Sequence, residues 1–307
     1  MPPLKFILSF DGGGVKCLMA LEIIKAIEDK RPGFLERVDC CIGSSSGGLT
    51  AALLSMNKTA NLAEILAVFQ NNMKQIFKVS FCHRLKTLNG LIRPLYQNKN
   101  LKLMCQTFFQ HINLEETSKD LMIWSYDIKR NLPYLYLNNV DCCSTESIKE
   151  LPYPTITVGP LYQPVYHTCL APSYFKTDHG MTDGSLFLYN PSGMSLIALS
   201  NLQPNVLENT CLLSFGYTTI KTKFNVNGGS MSWLNGLSTI FTINSSQSHY
   251  ISEHLLKDRY FRIEIDTNVN LDSKKSYKKL KKDAQKWIDL NLNNLLLWVD
   301  KYVMTSD

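Results

Sequence analysis

The stretch Val38-Asp-Cys-Cys-Ile-Gly43-Ser44-Ser45-Ser46-Gly47-Gly48-Leu49 decides the fold. Val38 to Ile42 is a short apolar run of strand length, the glycines and serines break it, and Leu49 to Met56 is apolar at helix length. The same order stands upstream. Leu4 to Phe10 reads as a buried strand, Asp11-Gly12-Gly13-Gly14 punctuates it, and Val15 to Asp29 carries Leu18, Leu21, Ile24, Ala26 and Ile27 at helical spacing. Two strand, loop, helix units in succession predict a parallel α/β sheet covered by helices.

Working outward, Leu62 to Phe77 and Leu101 to Phe109 read as helices, and Leu121 to Ile128 and Tyr134 to Leu137 as strands. Pro152, Pro154, Pro160, Pro164 and Pro172 predict surface loops. Cys211 to Phe215 is a further strand ending at Gly216, and Asn225 to Ser232 a polar loop. Ser238 to Leu256, Tyr277 to Ile288 and Leu292 to Val303 each read as a helix, with Tyr260 to Ile265 a strand between the first two. There is no internal repeat, and 307 residues suit one large α/β domain spanning 1–307.

A hydrophobic content of 45% with 19% charged residues excludes a disordered or fibrous chain. The net charge of +6 is concentrated: between Leu271 and Trp287 seven lysines stand against Asp272 and Asp283, a local +5, leaving +1 elsewhere. That single basic spot argues against a protein gripping nucleic acid along a face. The nine cysteines show no CxxC spacing, and Cys40-Cys41 and Cys142-Cys143 would point to opposite sides of a strand, so reduced, mostly buried thiols in a cytoplasmic setting are expected. Leu4 to Phe10 runs straight into Asp11, leaving no signal-peptide cleavage region, and no stretch reaches membrane-spanning length. The expectation is a soluble protein able to sit peripherally on membranes.

Three loops carry chemistry. Gly43-Ser44-Ser45-Ser46-Gly47 is a G-x-S-x-G between a strand and a helix, where a sharp turn lifts Ser45 out of the sheet toward a helix N-terminus that favours developing negative charge. Asp11-Gly12-Gly13-Gly14 lets backbone N–H groups converge on one point, which suits a phosphate or the oxyanion of acyl transfer. A dinucleotide loop would need glycine where Cys17 stands. Asp183-Gly184-Ser185 places a carboxylate after a strand; most Asp-Gly pairs are plain turns, but a buried carboxylate there is also a candidate base for Ser45.

Taken in order, these loops resemble the patatin-like phospholipases, which combine a D-G-G-G-x-R-G loop, a G-x-S-x-G elbow and a later D-G-G or D-G-A. The resemblance extends to Ala171-Pro-Ser-Tyr-Phe175, Tyr189-Asn190-Pro191 and Leu213-Ser-Phe-Gly216, and covers roughly residues 4–216, with 217–307 unmarked. It implies a three-layer α/β/α fold with a mainly parallel central sheet. It also implies hydrolysis of phospholipid or lysophospholipid acyl esters through a Ser–Asp dyad, with Ser45 the nucleophile, Asp183 the base, and the N–H groups of Gly13 and Gly14 the oxyanion hole. No metal or cofactor is implied, and calcium independence is expected. Lys16 stands where the family has Arg, Cys17 replaces the last loop glycine, and Ser185 replaces the small residue after Asp-Gly.

Other readings remain open on the residues alone. A catalytically silent lipid-binding protein would keep the fold. A Ser-His-Asp esterase would use His249 or His254, which follow Asp183 but lie in a predicted helix. Near the C-terminus, Tyr277, Leu280, Ala284, Trp287 and Ile288 share one helical face, and lysines surround the other. Lys274, Lys275, Lys278, Lys279, Lys281 and Lys282 either contact anionic lipid or form the solvated face of a helix packed on the core.

Overall fold

The computed structural model describes residues 4–57, 61–88, 90, 92–138, 145–219, 237–273 and 276–304. Asn225 to Ser232, Cys142, Cys143, Lys274 and Lys275 lie outside the described residues. The chain opens with β1 (Lys5–Phe10), α1 (Cys17–Lys30), β2 (Cys40–Ser44) and α2 (Ser46–Ser55). Three helices follow: α3 (Leu62–Ile76), α4 (Phe81–Lys86) and α5 (Asn98–Phe109). Next come β3 (Asp120–Asp127), β4 (Leu132–Leu137), α6 (Thr145–Lys149), β5 (Thr155–Ile156), α7 (Tyr162–Thr168) and β6 (Met181–Asp183). The last third holds α8 (Ser192–Leu202), β7 (Thr210–Thr219), α9 (Leu237–Leu256), β8 (Tyr260–Thr267) and α10 (Tyr277–Val299).

Eight strands form one sheet in the order β5-β4-β3-β2-β1-β7-β8, with β6 paired to β3. The β2–β3, β1–β2, β1–β7 and β7–β8 pairs are parallel; β4 and β6 run antiparallel to β3. Strand alternation divides the core between the two faces of the sheet. Phe6, Leu8, Cys41 and Leu213 join α1, α2, α3, α5 and α10 on one face, while Ile7, Cys40, Ile42 and Leu212 meet α8 and the end of α9 on the other. The architecture is therefore three-layer α/β/α around a mainly parallel sheet. Adjacent Cys40 and Cys41 are buried on opposite faces and unbridged. Among the described residues no helix is long and apolar enough to cross a membrane.

The structure corrects the reading at three places. The proline-punctuated middle contains a buried helix, α7, with Val165 and Tyr166 in the core. Pro164 is accommodated because it falls in the first turn, where its missing N–H is not needed. Tyr277 to Ile288 and Leu292 to Val303 are one helix, continued by a π-helical turn over Asp300–Met304. Nothing between Ile288 and Leu292 breaks it, and Leu280, Ala284, Leu295 and Val299 continue one buried stripe against α1. Thirdly, α2 starts at Ser46, ahead of the predicted Leu49, so Gly47 and Gly48 are helical.

Residues 56–117 leave and re-enter the sheet layer at one point. The backbone N–H groups of Ser118 and Lys119 both donate to Ser55 O, at 2.8 and 3.3 Å, and Ser118 Oγ donates to Met56 O at 3.0 Å. The helices α3, α4 and α5 thus hang on a closed neck.

Candidate active site

At the C-terminal end of β2 the chain turns into α2 through Ser45, which takes φ 56° and ψ −131°. The strain rests on the serine itself, where a β-carbon makes it cost about 1–3 kcal/mol. The flanking glycines serve close approach instead. A Cβ on Gly43 would fall 2.2 Å from Gly47 O, and one on Gly47 would fall 2.2 Å from Phe10 O. Glycine at both positions lets α2 press its first turn against β1 and β2, which aims that turn's N–H groups at the space beside Ser45.

Asp183 reaches the same point from the other direction. β6 runs antiparallel to β3, with Asp183 opposite Ser125, and Asp183 N–H donates to Leu170 O at 3.2 Å. Ser45 Oγ donates to Asp183 Oδ2 at 2.6 Å across 138 residues of sequence. The other carboxylate oxygen accepts from Ser185 N–H at 2.8 Å. The side chain is buried, and that burial pushes the Asp183 carboxyl up to about 6, against the opposing pull of the Ser45 and Ser185 hydrogen bonds. No histidine hydrogen-bonds to Ser45 or Asp183 among the described residues. His249 instead faces Tyr260 Oη at 3.3 Å, and His254 is exposed on α9.

The glycine loop after β1 is pinned on both sides. Asp11 N–H donates to Phe215 O at 3.0 Å, Gly12 N–H to Tyr189 O at 2.9 Å, and Val15 N–H to Leu271 O at 2.9 Å. Gly13 and Gly14 lie between these anchors, and their N–H groups have no acceptor among the described residues. Gly14 has φ +57°, and a Cβ there would strike Leu271 O at 2.2 Å, so this position requires glycine. Gly12 sits beside the pair: a Cβ on it would lie 3.3 Å from Ser45 Cβ.

The three departures from the motif now have physical settings. Cys17 is the first residue of α1 at φ −57°, an ordinary helical conformation, and its thiol donates to Gly14 O at 3.1 Å. Ser185 holds the Asp183 carboxylate through its N–H, and its hydroxyl lies 3.3 Å from Ser44 Oγ. Lys16 is buried rather than solvated, and burial lowers its pKa to about 8. Gly184 follows the carboxylate with no room for a side chain, since a Cβ would fall 2.1 Å from Trp124 O.

Several residues here were not identified from sequence. Thr168, at the end of α7, accepts from Ser45 N–H at 2.8 Å and donates to Trp124 O at 2.5 Å, tying the elbow to β3. The Cys169 thiol donates to Ser45 O at 3.3 Å. Arg262 on β8 forks onto Asp11, with Nη1 2.8 Å from Oδ1 and Nη2 2.6 Å from Oδ2, and also reaches Ser214 and Ser245. Burial alone would lower the Arg262 pKa, but the Asp11 carboxylate offsets this and holds it above its ordinary value. Asp11 is thus a buried structural anchor under the loop. Thr168 has no distinguishing spacing. Arg262 had a signal, a cation inside a predicted strand, but nothing near it names a partner 251 residues away.

Fold and site together define an α/β protein with a serine hydroxyl and a buried carboxylate meeting at a strand-to-helix turn. The chain belongs to the patatin-like phospholipase family, whose model matches residues 8–193. Patatin-like protein 1 of Arabidopsis thaliana is 24% identical, over 92% of this chain and 81% of its own length. Probable inactive patatin-3-Kuras 1 of Solanum tuberosum is 21% identical, over 85% of this chain and 76% of its own. Among solved structures, VipD from Legionella pneumophila overlays with a TM-score of 0.40 at 12% identity, covering 94% of this chain and 67% of that one. The ExoU–SpcU complex of Pseudomonas aeruginosa gives 0.42 at 13% identity, covering 100% and 53%.

Proposed function

We propose that this chain hydrolyses fatty-acyl esters of phospholipids or lysophospholipids through an acyl-Ser45 intermediate. The observation that carries the reading is the 2.6 Å hydrogen bond from Ser45 Oγ to Asp183 Oδ2. Ser45 Oγ attacks the ester carbonyl carbon while its proton passes to Asp183 Oδ2. The carbonyl oxygen, now negative, accepts from the N–H groups of Gly13 and Gly14. The ester C–O bond then breaks and the leaving alkoxide takes the proton from Asp183. In the second half Asp183 removes a proton from water, the hydroxide attacks the acyl carbon, and the fatty acid leaves as Ser45 recovers its proton. These groups suffice without a metal.

The test is fatty-acid release from mixed phospholipid vesicles by wild type and Ser45→Ala, with and without a calcium chelator. Release that survives the chelator and vanishes in the variant is expected. Asp183→Asn should lower turnover by roughly 10²- to 10⁴-fold, the usual contribution of a positioned base. A probable inactive relative makes a silent site the competing reading. A fluorophosphonate that fails to label Ser45 in the folded wild type would decide for that alternative.

A further inference from the structure

From Ile65 to Leu114 the sequence contains no Asp or Glu at all, yet seven Lys and Arg, a local +7. This stretch is more basic than the 271–287 segment, and acidic excess elsewhere conceals it in the net charge. The structure shows where these charges stand. Lys74, Lys78, Arg84, Lys86, Arg93 and Lys99 are exposed, and none forms an ion pair among the described residues. Lys102 alone approaches a carboxylate, 3.9 Å from Asp178.

Large aliphatic side chains stand among these cations. Leu85, Leu88 and Ile92 are 59, 56 and 62% exposed. They are held close together by a compact turn after α4, in which Leu88 N–H donates to Leu85 O and the N–H groups of Gly90 and Ile92 both donate to Thr87 O. The turn is fastened to the candidate site. Leu95 and Tyr96 N–H donate to Ser173 and Tyr174 O, just past Cys169, whose thiol touches Ser45 O. Tyr96 Oη donates to Asp272 at 2.5 Å, beside the Leu271 carbonyl that pins the glycine loop.

We infer that the face formed by the end of α3, by α4 and by the turn to Tyr96 docks on an anionic lipid surface. Leu85, Leu88 and Ile92 enter the acyl boundary, and the surrounding cations meet the headgroups. This deepens the acyl-lipid hydrolase reading and rests on it. Unpaired cations attract any polyanion, but exposed aliphatic tips among them gain only where there is hydrocarbon to enter. On α10 the exposed aliphatic side chains, Leu290 and Leu297 at 74 and 70%, are single residues seven positions apart past the lysines, not a cluster held by one turn. The apolar neighbours of those lysines, Leu280, Ala284, Trp287 and Ile288, are packed on the core, Lys281 lies 3.9 Å from Glu22, and Lys279 bonds Asn268.

The experiment is vesicle co-sedimentation of the full chain carrying Ser45→Ala, so that binding is read without turnover. Hydrolysis of a soluble short-chain ester by the Ser45 parent reports separately on the catalytic reading. Vesicles of phosphatidylcholine with phosphatidylserine should bind far more tightly than phosphatidylcholine alone, and added salt should weaken the binding. Arg84→Gln/Lys86→Gln/Arg93→Gln and Leu85→Ser/Leu88→Ser/Ile92→Ser should each lose roughly tenfold or more. Lys278→Gln/Lys282→Gln/Lys286→Gln should bind like the parent. The inference is overturned by equal binding to neutral vesicles, by either α4-face triple binding like the parent, or by the α10 triple carrying the loss. Tighter binding to a single-stranded RNA, unaffected by the apolar triple, overturns it too. Should a triple fail to fold, Ile92→Gln alone must still weaken binding, and unchanged binding there refutes the assignment.

Discussion

A carboxylate buried beside one hydroxyl and one backbone N–H holds its charge less easily than it would in water, and Asp183 is in that position. Its carboxyl is raised from 3.8 to about 6, so the folded chain binds this proton more tightly than the unfolded chain does. Two consequences follow, of opposite sign as pH rises. Only the ionised form can accept the Ser45 proton, so kcat/KM should rise about tenfold per pH unit below about 6 and level off above it. Protonated Asp183 favours folding, a contribution lost as pH rises from about 4 through about 6. At neutral pH Asp183→Asn should therefore melt above wild type, by a few kcal/mol at most, ~3. Thermal unfolding and a pH–rate profile check both; a profile flat across that range removes Asp183 from the role of base, and a variant that melts lower shows that burial does not raise its carboxyl.

Between elements, the glycine loop depends on β8. Arg262 and Asp11 are both buried, and each satisfies the other's charge. Removing only the cation leaves a buried carboxylate with no counter-charge and only the Ser245 hydroxyl at 3.2 Å, so Arg262→Met should cost ~3–5 kcal/mol, read by chemical denaturation. Replacing both, as Asp11→Leu/Arg262→Met, should recover most of that loss; a double variant no more stable than the single one would show that the pair does not act as a unit. This bond also marks what a single sequence can reveal. The strand, glycine loop, helix order exposed the sheet, Ser45 and the loop glycines, because each rests on neighbours a few residues away. Asp183 became legible only through resemblance, since an Asp-Gly reads locally as a turn. Thr168 and Arg262 stayed hidden, because helix packing and sheet register bring their partners, and no local pattern specifies either. The sharp turn was legible, but not which residue carries its strain. The structure puts the positive φ on Ser45 and uses the flanking glycines for clearance.

Across the whole molecule, the C-terminal helix is part of the same core as the first. α10 packs along α1, with Leu295 fully buried and Trp298 and Val299 beside it. Leu295→Ala should destabilise the entire chain by ~2–5 kcal/mol in one cooperative transition, measured by calorimetry. A separate low-temperature transition would show instead that the C-terminal part unfolds by itself. Residues 56–117 share that core through α3 and α5, but their ends are hydrogen-bonded to each other at Ser55 and Ser118. A segment that begins and ends at one place can lengthen, shorten or acquire new surface residues without moving the strands on either side of it. Descendants of such a chain can change which surfaces they visit while inheriting the serine and the carboxylate in place, so address and chemistry are free to evolve at separate rates.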